Sequence, residues 1–299
     1  MTKRDLPFGF FNVDKPLGIT SHDVVAKIRR KIGVKKVGHA GTLDPLATGV
    51  LVICVGDATR LAEYVMATTK GYTARVQLGV ETTTYDAEGD VTDRQDVSHL
   101  TRDDVETLLP EFNGSLDQLP PVYSAIKKGG RKLYDLARAG ESVELQPREV
   151  FIESLELTAW EPPFFTLDVV CGAGTYIRSL AHDIGASLGV GAHLAALSRT
   201  RSGTFHVEDA VALDDLLNAE DPQQWLTPAA QALEAFPTVH LSPADVDDVR
   251  HGRAIKWEGT VSDTIGAAIA PDGRLVAVMS LEAGHARPHK VFSSQFNES

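Results

Sequence analysis

The hydrophobic positions fall into short blocks whose period keeps changing. Phe10–Asp14 reads as a brief strand. Val24, Val25, Ile28 and Ile32 recur at helical spacing, which predicts a helix from a Ser21 cap to Ile32, closed by Gly33. Val37–Gly49 reads as a glycine-bearing loop, and the wholly apolar run Val50–Val55 as a buried strand. A helix is expected around Thr59–Ala67, an alternating strand over Tyr72–Leu78 and a helix over Thr101–Leu109. Pro120–Pro147 interrupts the pattern and reads as an insertion. Val150–Trp160 and Phe165–Cys171 look like an antiparallel pair joined at Pro162–Pro163. The stripe Ile177, Leu180, Ala181, Ile184 and Leu188 predicts a helix near Tyr176–Leu188, and Ala210–Leu217 a shorter one. After Phe236–Pro237, a short helix over Ala244–His251 precedes a hairpin of Thr264–Ala270 and Leu275–Ser280 around Pro271-Asp272-Gly273. There is no regular alternation of strand and helix, so the expected class is α+β with mostly antiparallel pairing. The change of style near 236 predicts a larger domain over 1–235, with the insertion at about 120–147, and a smaller one over 236–299.

Composition adds the compartment and the class of partner. The 299 residues are 43% hydrophobic and 23% charged, a globular balance. No apolar run approaches the roughly 18 residues of a membrane span, and the first residues lack the apolar stretch of a secretory signal. A cytoplasmic protein is therefore expected. Cys54 and Cys171 sit inside apolar runs and read as buried thiols. The net charge of −12 argues against generic adhesion to nucleic acid. The distribution of that charge changes the picture locally. Residues 1–36 hold nine Lys and Arg against three Asp, and residues 127–138 hold Lys127, Lys128, Arg131, Lys132 and Arg138 against Asp135. Two basic islands in an acidic chain are what a local site for an anionic ligand looks like.

Three segments are candidates for chemistry. In Gly38-His39-Ala40-Gly41-Thr42-Leu43-Asp44-Pro45-Leu46-Ala47-Thr48-Gly49, Asp44 is the one charged residue of a glycine-rich loop that feeds a buried strand. By spacing alone it is either a turn-capping acid before Pro45 or a catalytic carboxylate, since a half-buried carboxylate needs a partner. In Gly172-Ala173-Gly174-Thr175-Tyr176-Ile177-Arg178, Arg178 is either a surface ion pair or that partner. At the end of a strand it would share a face with Tyr176. An Arg-paired Asp stays ionised and suits nucleophilic attack better than acid catalysis. Tyr72 in Lys70-Gly71-Tyr72 is a packed aromatic or a surface on which a base stacks.

Taken together, the segments resemble the TruB family of tRNA pseudouridine synthases. Gly38–Leu51 is similar to the family's nucleophile motif. Asp14-Lys15-Pro16 with Gly18 and Ser21, Lys70-Gly71-Tyr72, Gly79 with Thr82, Thr84, Asp86 and Gly89, Pro121–Ala125, Gly174–Arg178, Gly191–Leu194 with Leu197 and Arg199, and Ser202-Gly203 with Phe205 follow in family order. The tail from 236 is similar, more weakly, to a PUA-type RNA-binding domain.

The resemblance implies a pseudouridine synthase fold, a mixed and mostly antiparallel sheet with flanking helices, plus a small β-rich PUA-like domain. It implies isomerisation of uridine to pseudouridine at position 55 of the tRNA T loop, with Asp44 as nucleophile and Arg178 as its ion-pair partner. Tyr72 would stack on the flipped base and take the C5 proton. Tyr176 and Leu197 would line the uracil pocket, His39 would meet the T loop, and Lys15 and Pro16 would support the floor of the substrate site. The segment 120–147, with Lys127, Lys128, Arg131 and Lys132, would fold over the RNA. No metal, nucleotide or organic cofactor, no guide RNA and no membrane is implied, and a monomer is expected. The alternatives are a guide-directed ribosomal-RNA pseudouridine synthase, a non-catalytic tRNA-binding or tRNA-folding protein, and a small-molecule hydrolase with paired carboxylates. The last lacks a second acid in the three candidate segments.

Overall fold

The computed structural model describes residues 8–121, 127–128, 131–132, 145–260 and 264–292. The first amphipathic run forms the helix Ser21–Ile32, with Val24, Val25, Ile28 and Ile32 buried and Gly33 closing it in the left-handed region. Its cap is Thr20 rather than Ser21: Thr20 and Asp23 exchange side-chain-to-backbone bonds in a capping box. Ser21 is buried instead, and its hydroxyl accepts from Leu43 N at 2.8 Å and donates to Leu43 O at 2.9 Å.

The chain divides into two compact units, residues 1–43, 50–66 and 204–299, and residues 44–49 and 67–203. In the first, Gly9–Lys15 pairs in parallel with Val211–Ala212 and antiparallel with Thr227–Pro228. The expected loop at 37–49 is partly strand. Val37–His39 pairs antiparallel with the end of Ala47–Val55, matching Val37 to Val55 and His39 to Ile53. The helix expected at 59–67 is a 3-10 turn over Gly56–Leu61 followed by one short helix, Ala62–Met66. Residues from 238 onward build a separate five-stranded sheet with its own core of Val239, Val249, Ala268, Val276 and Met279. That sheet packs within the same unit as the N-terminal strands. Phe292 lies 5.3 Å from the Phe8 ring, Arg60 sits over Phe292 and donates to Val291 O, and Lys290 pairs with Glu63.

The second unit carries the candidate chemistry. Its sheet runs in the order Ala192–Ser202, Lys70–Leu78, Phe164–Cys171, Arg148–Glu161, Gly114–Gln118, every pair antiparallel. Ala47–Gly49 pairs in parallel along the other edge of Ala192–Ser202. The sequence pattern predicts no strand at 192–202, because Arg199 and Arg201 break its apolar alternation; Arg199 is nevertheless buried. Gly49, at φ 90°, lies against that strand so closely that a Cβ would meet Arg199 O at 2.3 Å, and only glycine fits. The helix Ile177–Ser187 lays Ile177, Leu180, Ala181 and Ile184 on Ala74, Val76, Leu167, Val169 and Leu194. Arg178 therefore lies in a helix's first turn and not at a strand end. Of the insertion, Lys127–Lys128 and Arg131–Lys132 pair as a short antiparallel ladder, and 122–126, 129–130 and 133–144 lie outside the described residues. Among the described residues no helix is long and apolar enough to cross a membrane.

Candidate active site

Asp44 begins a tight turn in which Ala47 N donates to Asp44 O at 3.0 Å, leaving its carboxylate 40% exposed. Arg178 reaches it from the start of the helix Ile177–Ser187, with Nε 3.1 Å from Asp44 Oδ2. The Arg178 side chain is only 9% exposed, and its other face is met by a second acid. Nη1 lies 3.2 Å from Asp86 Oδ2 and 3.3 Å from Thr84 O. Asp86, 3% exposed, accepts from Thr84 Oγ1 at 2.5 Å and from Glu88 N at 3.0 Å through Oδ1. Its turn is fixed on both sides of the backbone, since Leu194 N donates to Tyr85 O and Ala87 N to Leu194 O. Tyr85 adopts φ 62°, which is strained for a residue with a Cβ, and stacks on His182 at 3.9 Å. One guanidinium thus bridges a buried, fully engaged carboxylate and a solvent-facing one. The pairing stabilises Asp44 as an anion, and its side chain stays 40% exposed.

Tyr72 lies on the adjoining strand, opposite Arg199 in register. The Arg199 guanidinium acts on the Tyr72 phenol to favour its ionised form. Burial nonetheless pushes the Tyr72 phenol above its ordinary value, and the Asp44 charge pushes the same way, so the hydroxyl is neutral at rest. Lys70 precedes it on the same strand face and is buried, with Nζ donating to Thr68 O at 2.5 Å and Thr68 Oγ1 at 3.1 Å. Burial, aided by Arg199, holds the Lys70 ammonium down at about 8. Cys171, opposite Lys70 in register, is a thiol pushed up to about 11 by burial. Leu197 is partly buried and packs with Tyr72 on the core of the second unit. Tyr176, half-buried, caps the helix that carries Arg178.

The second unit therefore brings together Asp44, Tyr72 and Arg178, and adds Asp86 and Arg199. Asp86 meets Arg178 across 92 residues, and no local spacing signals that contact. In the first unit Lys15 is 0% exposed. Its Nζ donates to Pro16 O at 2.9 Å and Ile19 O at 2.7 Å, so it holds that turn from beneath rather than meeting a ligand. His39 is partly exposed and lies edge-to-face with His22 at 5.4 Å. Among the described residues no group of three or more His, Cys, Asp or Glu is placed to hold a metal ion.

Residues 29–177 match the family model of the TruB family pseudouridylate synthase N-terminal domain. The chain belongs to the TruB family. Residues 178–235 match the tRNA pseudouridylate synthase B C-terminal domain, and residues 236–293 the tRNA pseudouridine synthase II C-terminal model. The tRNA pseudouridine synthase B of Symbiobacterium thermophilum is 51% identical over 249 residues, 82% of each chain. That of Thermobifida fusca is 45% identical over 294 residues, covering 95% of this chain and 98% of its own. Among solved structures, a chain of a Cbf5-Nop10-Gar1 complex shares 30% identity at a TM-score of 0.73, covering 98% of this chain and 82% of that one. The mixed sheet with flanking helices is thus the pseudouridine synthase fold of this TruB-family chain.

Proposed function

We propose that this chain isomerises uridine to pseudouridine at position 55 of the tRNA T loop, as a monomeric cytoplasmic enzyme that needs neither cofactor nor guide RNA. The observation that carries the reading is the Asp44 carboxylate paired with Arg178 at 3.1 Å, near enough to Tyr72 for its charge to be felt at the phenol. The target base leaves the stack at a cost of a few kcal/mol and enters beside Tyr72, where it stacks. Tyr176 and Leu197 bound the uracil. Asp44 attacks C1′ or C6; either way the N1–C1′ bond breaks, the uracil turns, C5 joins C1′ and the bond to Asp44 breaks, which regenerates the carboxylate. The C5 proton leaves and N1 gains one, so the product is an isomer. That C5–H is acidified by the neighbouring carbonyl and by the conjugation regained; the Tyr72 phenol, neutral at rest, gives up its own proton to solvent before its oxygen takes the one from C5. Arg199 favours the phenolate that acts as the acceptor.

The tRNA substrate is preferred over a guide-directed ribosomal one for a specific reason. The relatives at 45–51% identity are named tRNA pseudouridine synthase B, against 30% for the Cbf5 chain. The test is pseudouridine mapping of an unmodified tRNA transcript incubated with the protein alone. Product at position 55 is expected from the wild type. Asp44→Ala is expected to give none while binding tRNA within several-fold, because removing an anion does not weaken attraction to phosphate. Turnover by that variant would remove Asp44 from its role; a wild type that binds tRNA but forms no pseudouridine would leave the tRNA-binding alternative standing.

A further inference from the structure

The helix that presents Arg178 begins without a side-chain cap of its own. Tyr176 occupies the cap position and its side chain accepts nothing from the first turn. The Tyr176 N–H precedes the helix and has no intrahelical acceptor to use. The missing partner comes from another strand. Tyr176 N donates to Gln118 Oε1 at 2.8 Å, and Gln118 Nε2 donates to Tyr176 O at 3.0 Å. Gln118 is 1% exposed, at the last position of the strand Gly114–Gln118. One residue further on, Ser179 Oγ donates to Leu119 O at 2.7 Å. Two ties from Gln118 and Leu119 therefore grip the chain on either side of Arg178.

We propose that Gln118 is a positioning residue for catalysis, which sets the Arg178–Asp44 pair by clasping the backbone of Tyr176. The carboxamide meets a peptide as a neighbouring strand would, accepting the N–H and donating to the C=O of one residue. Few other side chains offer both functions at that spacing. The N–H of Tyr176 is a donor, so the Gln118 atom facing it is the oxygen, and the nitrogen then faces the carbonyl. The clasp acts at the origin of a helix. A small change in direction there is carried along the Arg178 side chain to a guanidinium that must meet Asp44 and Asp86 at 3.1 and 3.2 Å. Misplacement of a reacting group by about 1 Å costs on the order of a hundredfold in rate. Tyr176, the second beneficiary, is held by its own main chain. The inference rests on the assignment of Asp44 and Arg178 to the reacting centre.

The test compares Gln118→Ala, Gln118→Glu, wild type and Asp44→Ala. The measurements are single-turnover pseudouridine formation at saturating tRNA, the tRNA dissociation constant and the melting temperature. Glu keeps the acceptor for Tyr176 N–H but sets an oxygen against Tyr176 O. Both Gln118 variants are expected to lose at least tenfold in rate with tRNA affinity within twofold of wild type, while remaining folded. A folded variant with a rate within twofold of wild type overturns the proposal. So does a loss that appears in affinity and not in rate. If the Ala variant does not fold, the Glu variant decides by the same criteria; if neither folds, Gln118 is a structural residue and the proposal falls. A silent wild type, or an active Asp44→Ala, would instead bring down the reading on which it rests.

Discussion

Arg178 is braced from behind by Asp86: its Nη1 lies 3.2 Å from Asp86 Oδ2 while its Nε holds Asp44 at 3.1 Å. The two contacts use two edges of one planar guanidinium, which an ammonium cannot reproduce. Arg178→Lys is therefore expected to fold and bind tRNA but to isomerise far more slowly than wild type. Asp86→Ala tests the brace. It leaves Asp44 as the remaining carboxylate on Arg178, so the loss of stability should fall short of the about 3–5 kcal/mol typical when a buried charge loses its sole partner. The rate should drop at least tenfold, because Nη1 loses the carboxylate that fixes its edge of the guanidinium. Rate constants and denaturant unfolding of both variants check this. An Asp86→Ala enzyme at full rate would show that Arg178 needs no brace.

Adjacent hydroxyls at the first helix have opposite fates, and that yields a stability prediction. Thr20 is an exposed cap, so Thr20→Ala should cost about 0.5–2 kcal/mol. Ser21 is buried and both of its bonds go to Leu43. Ser21→Ala strands a buried N–H and C=O and should cost about 1–3 kcal/mol, with the larger loss of the two. Urea unfolding of the single variants ranks them. A cap role for Ser21 would reverse the order.

That same pair shows where the sequence is legible. Apolar periodicity locates the helix Ser21–Ile32 and the strands Lys70–Leu78, Arg148–Glu161 and Phe164–Cys171 to within a few residues, because burial on one face leaves a period in the sequence. It does not distinguish Thr20 from Ser21 as the cap, since both residue types cap helices and only the packing of Leu43 decides. It misses Ala192–Ser202, a central strand in which Arg199 is buried by tertiary partners rather than by pattern. The Asp44–Arg178 contact is legible only as one of two readings until the family resemblance is added. Asp86 and Gln118 act through contacts 92 and 58 residues away, and no local rule reaches that far.

Lys70 gives a pH prediction. Its ammonium titrates near 8 in the folded protein because burial, and then Arg199, disfavour the charge. The unfolded chain keeps the ordinary value of about 10.4. Between these values the unfolded state binds more protons, so this group's contribution to stability rises with pH over that window. Cys171, pushed up to about 11, works in the opposite direction above its ordinary value. The difference between wild type and Lys70→Met isolates the lysine. Relative to the wild type, the variant should be most stable at pH 7 and lose that advantage by about pH 10. The whole swing is bounded at roughly 3 kcal/mol by the size of the shift. Melting temperatures measured at half-unit pH steps give the comparison. A difference independent of pH would mean that Lys70 is not charged at the cost of folding.

The basic islands are the last point, and they are separable. A chain of net charge −12 attracts a polyanion only through local positive surface. On the helix Ser21–Ile32, Lys27, Arg30 and Lys31 are exposed, whereas Arg29 is committed to Val37 O at 2.8 Å and Lys36 to Asp57 at 2.7 Å. The second island is Lys127, Lys128, Arg131 and Lys132, on a two-rung ladder. Each phosphate neutralised releases condensed counterions, worth about 0.7–0.9 in the log–log salt slope. Replacing the four insertion residues with Gln should weaken tRNA binding and flatten that slope by about one to three. Replacing Lys27, Arg30 and Lys31 with Gln should do the same by about one to two, since Arg29 and Lys36 are spoken for. If the islands touch separate stretches of RNA, the combined variant should show the sum of the two slope changes. Dissociation constants at four or five salt concentrations for the wild type and the three variants decide it. A variant whose line coincides with the wild type's in height and slope removes its island from the binding surface, and leaves the other to carry the attraction.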